Sequence, residues 1–245
     1  VLSDVVSHLA PDTDLVLAAK GMEAETGQLP SEVVSSLVVS SGRKVIALSG
    51  PNLASEVAKG IPTAAVAACP DETAAKRTAV LFNSPTFRVY TSADRDGVEI
   101  GGAVKNVLAI AGGVSDGLGF GDNTKAALLT RGLAEMARFG VASGAKRDTF
   151  YGLAGVGDLM ATAASQLSRN YRVGEAVAKG ESLSDVLIRL GQVAEGVTTA
   201  KALTVRARKI GVEMPVCDAV ARLLFEGTSP FAEVNALMTR APKEE

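Results

Sequence analysis

A single lysine in the middle of a long apolar stretch constrains this chain more than any other feature. Residues 98–121 read VEIGGAVKNVLAIAGGVSDGLGFG, and DNTKAAL follows. Val98, Ile100, Ala103, Val104, Val107, Leu108, Ile110, Ala111 and Val114 make the stretch apolar on most sides. That pattern predicts a helix over 98–115 buried in a core. Gly101 and Gly102 lie four and three residues before Lys105, and Ala109 and Gly112 lie four and seven after it. Positions at those offsets share one helical face. Each interior glycine costs a helix roughly 1 kcal/mol relative to alanine, so several around one lysine need a reason. Two remain open. The glycines let a second helix approach, or the lysine forms the floor of a ligand site, its pKa tuned by burial for proton transfer. Asn106 comes next, so an ammonium and an amide can face one oxygen-rich ligand.

The 245 residues, 47% hydrophobic and 21% charged, suffice for one large domain or two small ones. A net charge of −2 gives no basic excess for nucleic acid. Cys69, Cys217 and His8 make no metal set, and two distant free thiols fit a reducing cytoplasm. These residues show no signal-peptide pattern and no charge-free apolar run of about 20 residues, so no membrane span is expected in them. The chain begins at Val1, without methionine, and reads as though entered in the middle of a domain. The expectation is that an N-terminal portion is missing.

In order, the chain predicts a helix over 1–9, a turn at Pro11–Asp14, and a buried parallel strand over 15–19 (LVLAA) that ends at Lys20-Gly21. A lysine at the carboxyl end of such a strand is either solvated or placed to meet an anion. A helix over 29–39 and a strand over 44–48 follow. The strand runs into Ser49-Gly50-Pro51-Asn52 and a helix over 53–59, whose N-terminus suits a phosphate or carboxylate. Further elements are a strand over 62–69, a helix over 71–82 and a strand over 87–91. The alternation predicts a doubly wound α/β sheet over 1–93. No G-x-G-x-x-G follows its first strand.

Asp94–Gly97 reads as a linker, and 94–245 reads as an all-helical domain. Its helices are expected over 98–115, 122–143, 158–165, 169–179, 182–190, 195–210, 215–225 and 230–238. Within it, GLAGVGD (152–158) is a glycine-rich turn. Asp158 is either a helix N-cap or a carboxylate that keeps Lys105 charged. Ser168-Arg169-Asn170 forms a second polar cluster, in which the arginine is suited to phosphate or is simply on the surface. Glu195 is a first-turn acid or a ligand contact.

These stretches resemble the bacterial NAD(P)-dependent glycerol-3-phosphate dehydrogenases. The resemblance runs through AAKGMEAETG (18–27), SGPNLASEVAKGIPTA (49–64), 101–136, GLAGVGDLMAT (152–162), SRNYRVG (168–174), AEGVTTAK (194–201) and GVEMP (211–215). It implies a Rossmann-type α/β domain, lacking its N-terminal part and glycine fingerprint, followed by an all-α domain of the 6-phosphogluconate-dehydrogenase-like type. It implies hydride transfer between NADP or NAD and the pair dihydroxyacetone phosphate and sn-glycerol 3-phosphate, for glycerophospholipid synthesis. A homodimer is compatible with it.

By the same resemblance Lys105 is the catalytic lysine and Asp158 the acid beside it. Lys20, Gly50, Asn52, Ser168, Arg169 and Asn170 contact substrate, together with Lys105 and Asp158. Lys20, Ala54, Arg169, Val193 and Glu195 lie at the cofactor. Asn52 stands where the family usually has serine or threonine, Leu53 where phenylalanine is common, and Ala194 replaces the commoner valine. Two alternatives stand beside this reading. One is a related β-hydroxyacid or ketopantoate-type reductase. The other is a truncated, non-catalytic assembly module.

Overall fold

The computed structural model describes residues 4, 8–10, 12–38 and 42–241. Most of the helix expected over 1–9 lies outside them, as does the end of the one expected over 29–39. The first half forms a four-stranded sheet in the order β1 (Leu15–Leu17), β2 (Val45–Ser49), β3 (Thr63–Ala68), β4 (Phe87–Ser92). Helices α1 (Pro30–Val38), α2 (Ala54–Val57) and α3 (Glu72–Phe82) connect the strands. β1 runs parallel to β2 and β3 parallel to β4, but β2 and β3 are antiparallel, with Ala47 opposite Ala68. The reason is local. The helix expected over 53–59 is a single turn, so the β2–β3 connection carries no crossover helix long enough to return the chain parallel.

Successive strand residues face opposite sides of a sheet. Ile46, Leu48, Ala65, Ala67 and Val89 pack on one side against Ala74, Ala75 and Ala79 of α3, which Asp71 caps by accepting from the Ala74 N–H. On the other side Ala47, Val66 and Ala68 meet Val98 and Ala154 from the helical half. The second face of the sheet is therefore roofed by the long helix.

That helix, α4 (Arg95–Gly117), starts earlier than its apolar pattern indicates. Asp94 is its N-cap, accepting from the Gly97 N–H at 3.1 Å, so Asp94–Gly97 is a helix start and not a linker. By length and composition alone α4 resembles a membrane span, but its apolar window is wholly buried inside the fold. Around it lie α5 (Asp122–Ala142), a 3-10 turn (Arg147–Tyr151), a π-helical turn (Leu153–Gly157), α6 (Asp158–Ala163), α7 (Arg169–Ala178), α8 (Leu183–Leu190), α9 (Glu195–Lys209), α10 (Pro215–Phe225) and α11 (Pro230–Met238). No strand occurs among the described residues after Ser92.

The α4 glycines admit different neighbours at different positions. A Cβ on Gly113 would lie 2.0 Å from the Tyr171 carbonyl oxygen, and one on Gly101 would lie 2.5 Å from that of Ala154. These two admit neighbouring backbone. A Cβ on Gly102 would instead lie 2.9 Å from Ser49 Oγ and 3.4 Å from Lys20 Cγ. Gly102 makes room for a second lysine.

Candidate active site

The second lysine and the first share one carboxylate. Lys20, three residues beyond β1, reaches across Gly102 and places Nζ 2.8 Å from Asp158 Oδ2. The same ammonium donates to the Gly50 carbonyl at 2.9 Å and to Asn52 Oδ1 at 2.7 Å. Gly50 takes a φ of +140°, open to glycine, and a Cβ there would strike the backbone of β3 at 2.9 Å. The turn after β2 thus aims two oxygens at Lys20.

Lys105 projects from the middle of α4, 6% exposed, with Nζ 3.1 Å from Asp158 Oδ1 and 2.9 Å from Thr162 Oγ1. The Thr162 hydroxyl in turn donates to Asp158 Oδ1 at 3.0 Å. Asp158 is 2% exposed and sits at the start of α6 with helical backbone angles, following the π-helical turn. It is therefore not an N-cap, and its side chain is committed to the two lysines and Thr162. Burial pulls the Lys105 pKa down from the usual lysine range to about 8; Asp158 opposes the shift and the nearby Lys20 charge adds to it. An amine with that value exchanges its proton close to neutrality.

A second layer ties three elements to this centre. Asn106 donates from Nδ2 to the Lys20 carbonyl at 3.1 Å and to Glu195 Oε2 at 3.4 Å. Glu195 Oε1 accepts from the Lys20 backbone N–H at 3.3 Å. Asn170 is 7% exposed; its Nδ2 donates to Asn106 Oδ1 and its Oδ1 accepts from the Gly196 N–H, both at 2.9 Å. Lys20, Gly50, Asn52, Lys105, Asp158, Asn170 and Glu195 are thus brought into one hydrogen-bonded network.

The remaining expected site residues are peripheral to it. Ser168 is buried and caps α7, accepting from the Tyr171 N–H at 3.2 Å. Arg169, the first residue of α7, is exposed. Ala54 is exposed on α2 and Val193 is 68% exposed just before Glu195. Thr162 carries no expected role in the sequence, yet its signal was there: it lies four residues after Asp158 on a helix, hence on the same face. The Ser49 hydroxyl, next to Gly102, is buried with no hydrogen-bond partner among the described residues.

Comparisons with known proteins identify the family of the chain. Residues 1–75 match the family model described as NAD-dependent glycerol-3-phosphate dehydrogenase N-terminus, and residues 94–235 match that described as its C-terminus. The glycerol-3-phosphate dehydrogenase [NAD(P)+] of Thermus thermophilus is 53% identical over 100% of this chain and 74% of its own length. That of Aromatoleum aromaticum is 49% identical over 98% of this chain and 73% of its own length. The crystal structure of glycerol-3-phosphate dehydrogenase from Coxiella burnetii superposes with a TM-score of 0.92 at 37% identity, covering 98% of this chain and 73% of that one. Matched along both halves by the family models and at this identity by its relatives, the chain belongs to the NAD-dependent glycerol-3-phosphate dehydrogenase family.

Proposed function

We propose that this chain interconverts dihydroxyacetone phosphate and sn-glycerol 3-phosphate with NADP or NAD, Lys105 being the group that gives and takes the proton. The observation that carries this is the buried Lys105 amine, held between Asp158 and Thr162 with its pKa near 8. Reduction of a ketone builds negative charge on its oxygen, and an ammonium in a water-poor site both stabilises that charge and supplies the proton.

The residues near Glu195 fit the nicotinamide end of the cofactor. Among the described residues both Glu195 oxygens accept only long hydrogen bonds, of 3.3 and 3.4 Å, which leaves them capacity for a carboxamide N–H, and exposed Val193 offers apolar surface beside them. The bound cofactor supplies or removes the hydride. Lys105 Nζ passes its proton to the substrate oxygen and becomes a neutral amine, and in the oxidation direction the amine takes that proton back. Asp158 and Thr162 hold Nζ in place in both forms. Lys20, anchored by Gly50 and Asn52, presents a second positive charge to the substrate oxygens.

For the phosphate end, α7 offers the positive end of its dipole and the exposed Arg169. Charge-assisted hydrogen bonds contribute about 1.5–3 kcal/mol each. Arg169→Ala should therefore raise KM for the phosphorylated substrate by about 10- to 100-fold and change kcat little. An unchanged KM would remove Arg169 from the phosphate site.

The function itself is tested by following dihydroxyacetone phosphate-dependent oxidation of NADPH and NADH. Rapid oxidation by either is expected. A rate no greater than with ketopantoate would favour the related reductase class instead.

A further inference from the structure

The segment from Lys20 to Glu32 is fastened at both ends to the same two helices. At its first end, the Lys20 backbone is bonded to Asn106 of α4 and Glu195 of α9. At its second end, Ser31 donates its backbone N–H to Glu99 Oε1 of α4 at 2.9 Å, and its hydroxyl donates to Glu99 Oε2. Glu32 pairs with Arg206 of α9 through two hydrogen bonds, of 2.7 and 3.1 Å. Arg206 also donates to the Gly27 carbonyl at 2.9 Å. Between the ends, Met22 and Leu29 are buried in the core of the helical half, away from the sheet.

The result is a four-cornered frame. Glu99 and Asn106 are seven residues apart on α4, about 10 Å along the axis, and Glu195 and Arg206 are eleven apart on α9, about 16 Å. Regular helices hold those spacings rigidly. Each corner is also built to last. Glu99 is 6% exposed, and its carboxylate meets the N-terminus of α1, where orphan N–H groups and the helix dipole favour an anion. Glu32 reaches back to the Leu29 N–H at 2.6 Å, as a third-position acid does in a capping box, while it holds Arg206. Two buried or half-buried carboxylates at one short helix exceed what capping that helix requires.

We propose that Glu99 and the Arg206–Glu32 pair are positioning residues for the reaction, acting through Lys20: by fixing the far end of the 20–32 segment to α4 and α9, they hold the Lys20 ammonium at Asp158. The proposal rests on the reading of Lys105 and Lys20 given above. None of the three outer residues touches the reacting centre, so their effect is on geometry. Misplacing a reactive group by about 1 Å costs up to about 100-fold in rate.

Arg206→Ala is the informative variant, because Arg206 is half-buried at the surface of the fold and its loss leaves Glu32 open to water. In the complete chain it should raise hydrogen exchange in the peptide around Lys20, at the end of the segment remote from the substitution, and lower kcat/KM by about 10- to 100-fold. The alkaline limb of the reduction profile should move to higher pH, because Lys20 is the cation facing Lys105, with Asp158 and Glu195 the facing anions. Arg206→Lys, which keeps one charged contact to Glu32, should recover most of both effects. If a folded Arg206→Ala protein matches the active parent in Lys20 exchange and in the alkaline limb, the proposal is wrong. If exchange at Lys20 rises but the parent does not reduce dihydroxyacetone phosphate, the frame stands and the functional reading fails.

Discussion

Lys105→Ala lowers kcat for dihydroxyacetone phosphate reduction by about 10²- to 10⁴-fold, the usual worth of a positioned proton donor, and leaves a folded protein. The fold survives because Asp158 keeps its 2.8 Å contact with Lys20 and the Thr162 hydroxyl. No buried carboxylate is stranded. Turnover measured beside a thermal melt checks both halves of the statement. Parent-like turnover from the variant would remove Lys105 from the chemistry.

Asp158→Asn has the opposite balance: its effect on stability is as large as its effect on rate. Lys105 and Lys20 would then face each other across a neutral amide in a site where Asp158 is 2% exposed. Removing one partner from a buried ionic cluster costs about 3–5 kcal/mol. Part of that cost is relieved by loss of the Lys105 proton. Asp158 raises the Lys105 pKa, so its neutralisation lowers that pKa below about 8. The variant should melt earlier, reduce substrate poorly at neutral pH, and recover some activity as the pH is lowered. An unchanged melting temperature together with an unmoved alkaline limb would contradict the shared-carboxylate arrangement.

Local features of the chain were readable where a periodic pattern decides them. The run from Val98 to Val114 declares a buried helix, and α4 is one, longer at both ends than the apolar pattern; its start is hidden because Asp94 looks like part of a loop until its cap to Gly97 is seen. Strand identities were readable from apolar runs, but the antiparallel β2–β3 pairing was not. It depends on α2 stopping after one turn, and no residue in 53–59 announces that. At the site, Lys105 was legible because a charge in an apolar helix is anomalous. Asp158 was legible only as one of two choices, since aspartate before a helix is also a good cap. Thr162 was missed although its spacing from Asp158 was regular. The frame around Lys20 was not readable at all: Ser31 and Glu99 are separated by 68 positions, and Glu32 and Arg206 by 174. No local rule couples residues so far apart.

The most direct test of the account is the pH dependence of kcat/KM for dihydroxyacetone phosphate reduction, measured with the reverse oxidation over about pH 6 to pH 10. Lys105 must be protonated to reduce and neutral to oxidise. With its pKa at about 8, the reduction rate should be level below that value and fall about tenfold per unit above it, while the oxidation rate rises through the same pH. A reduction rate that stays level through pH 10, in a protein that remains folded, would contradict the assignment of Lys105 as the proton donor.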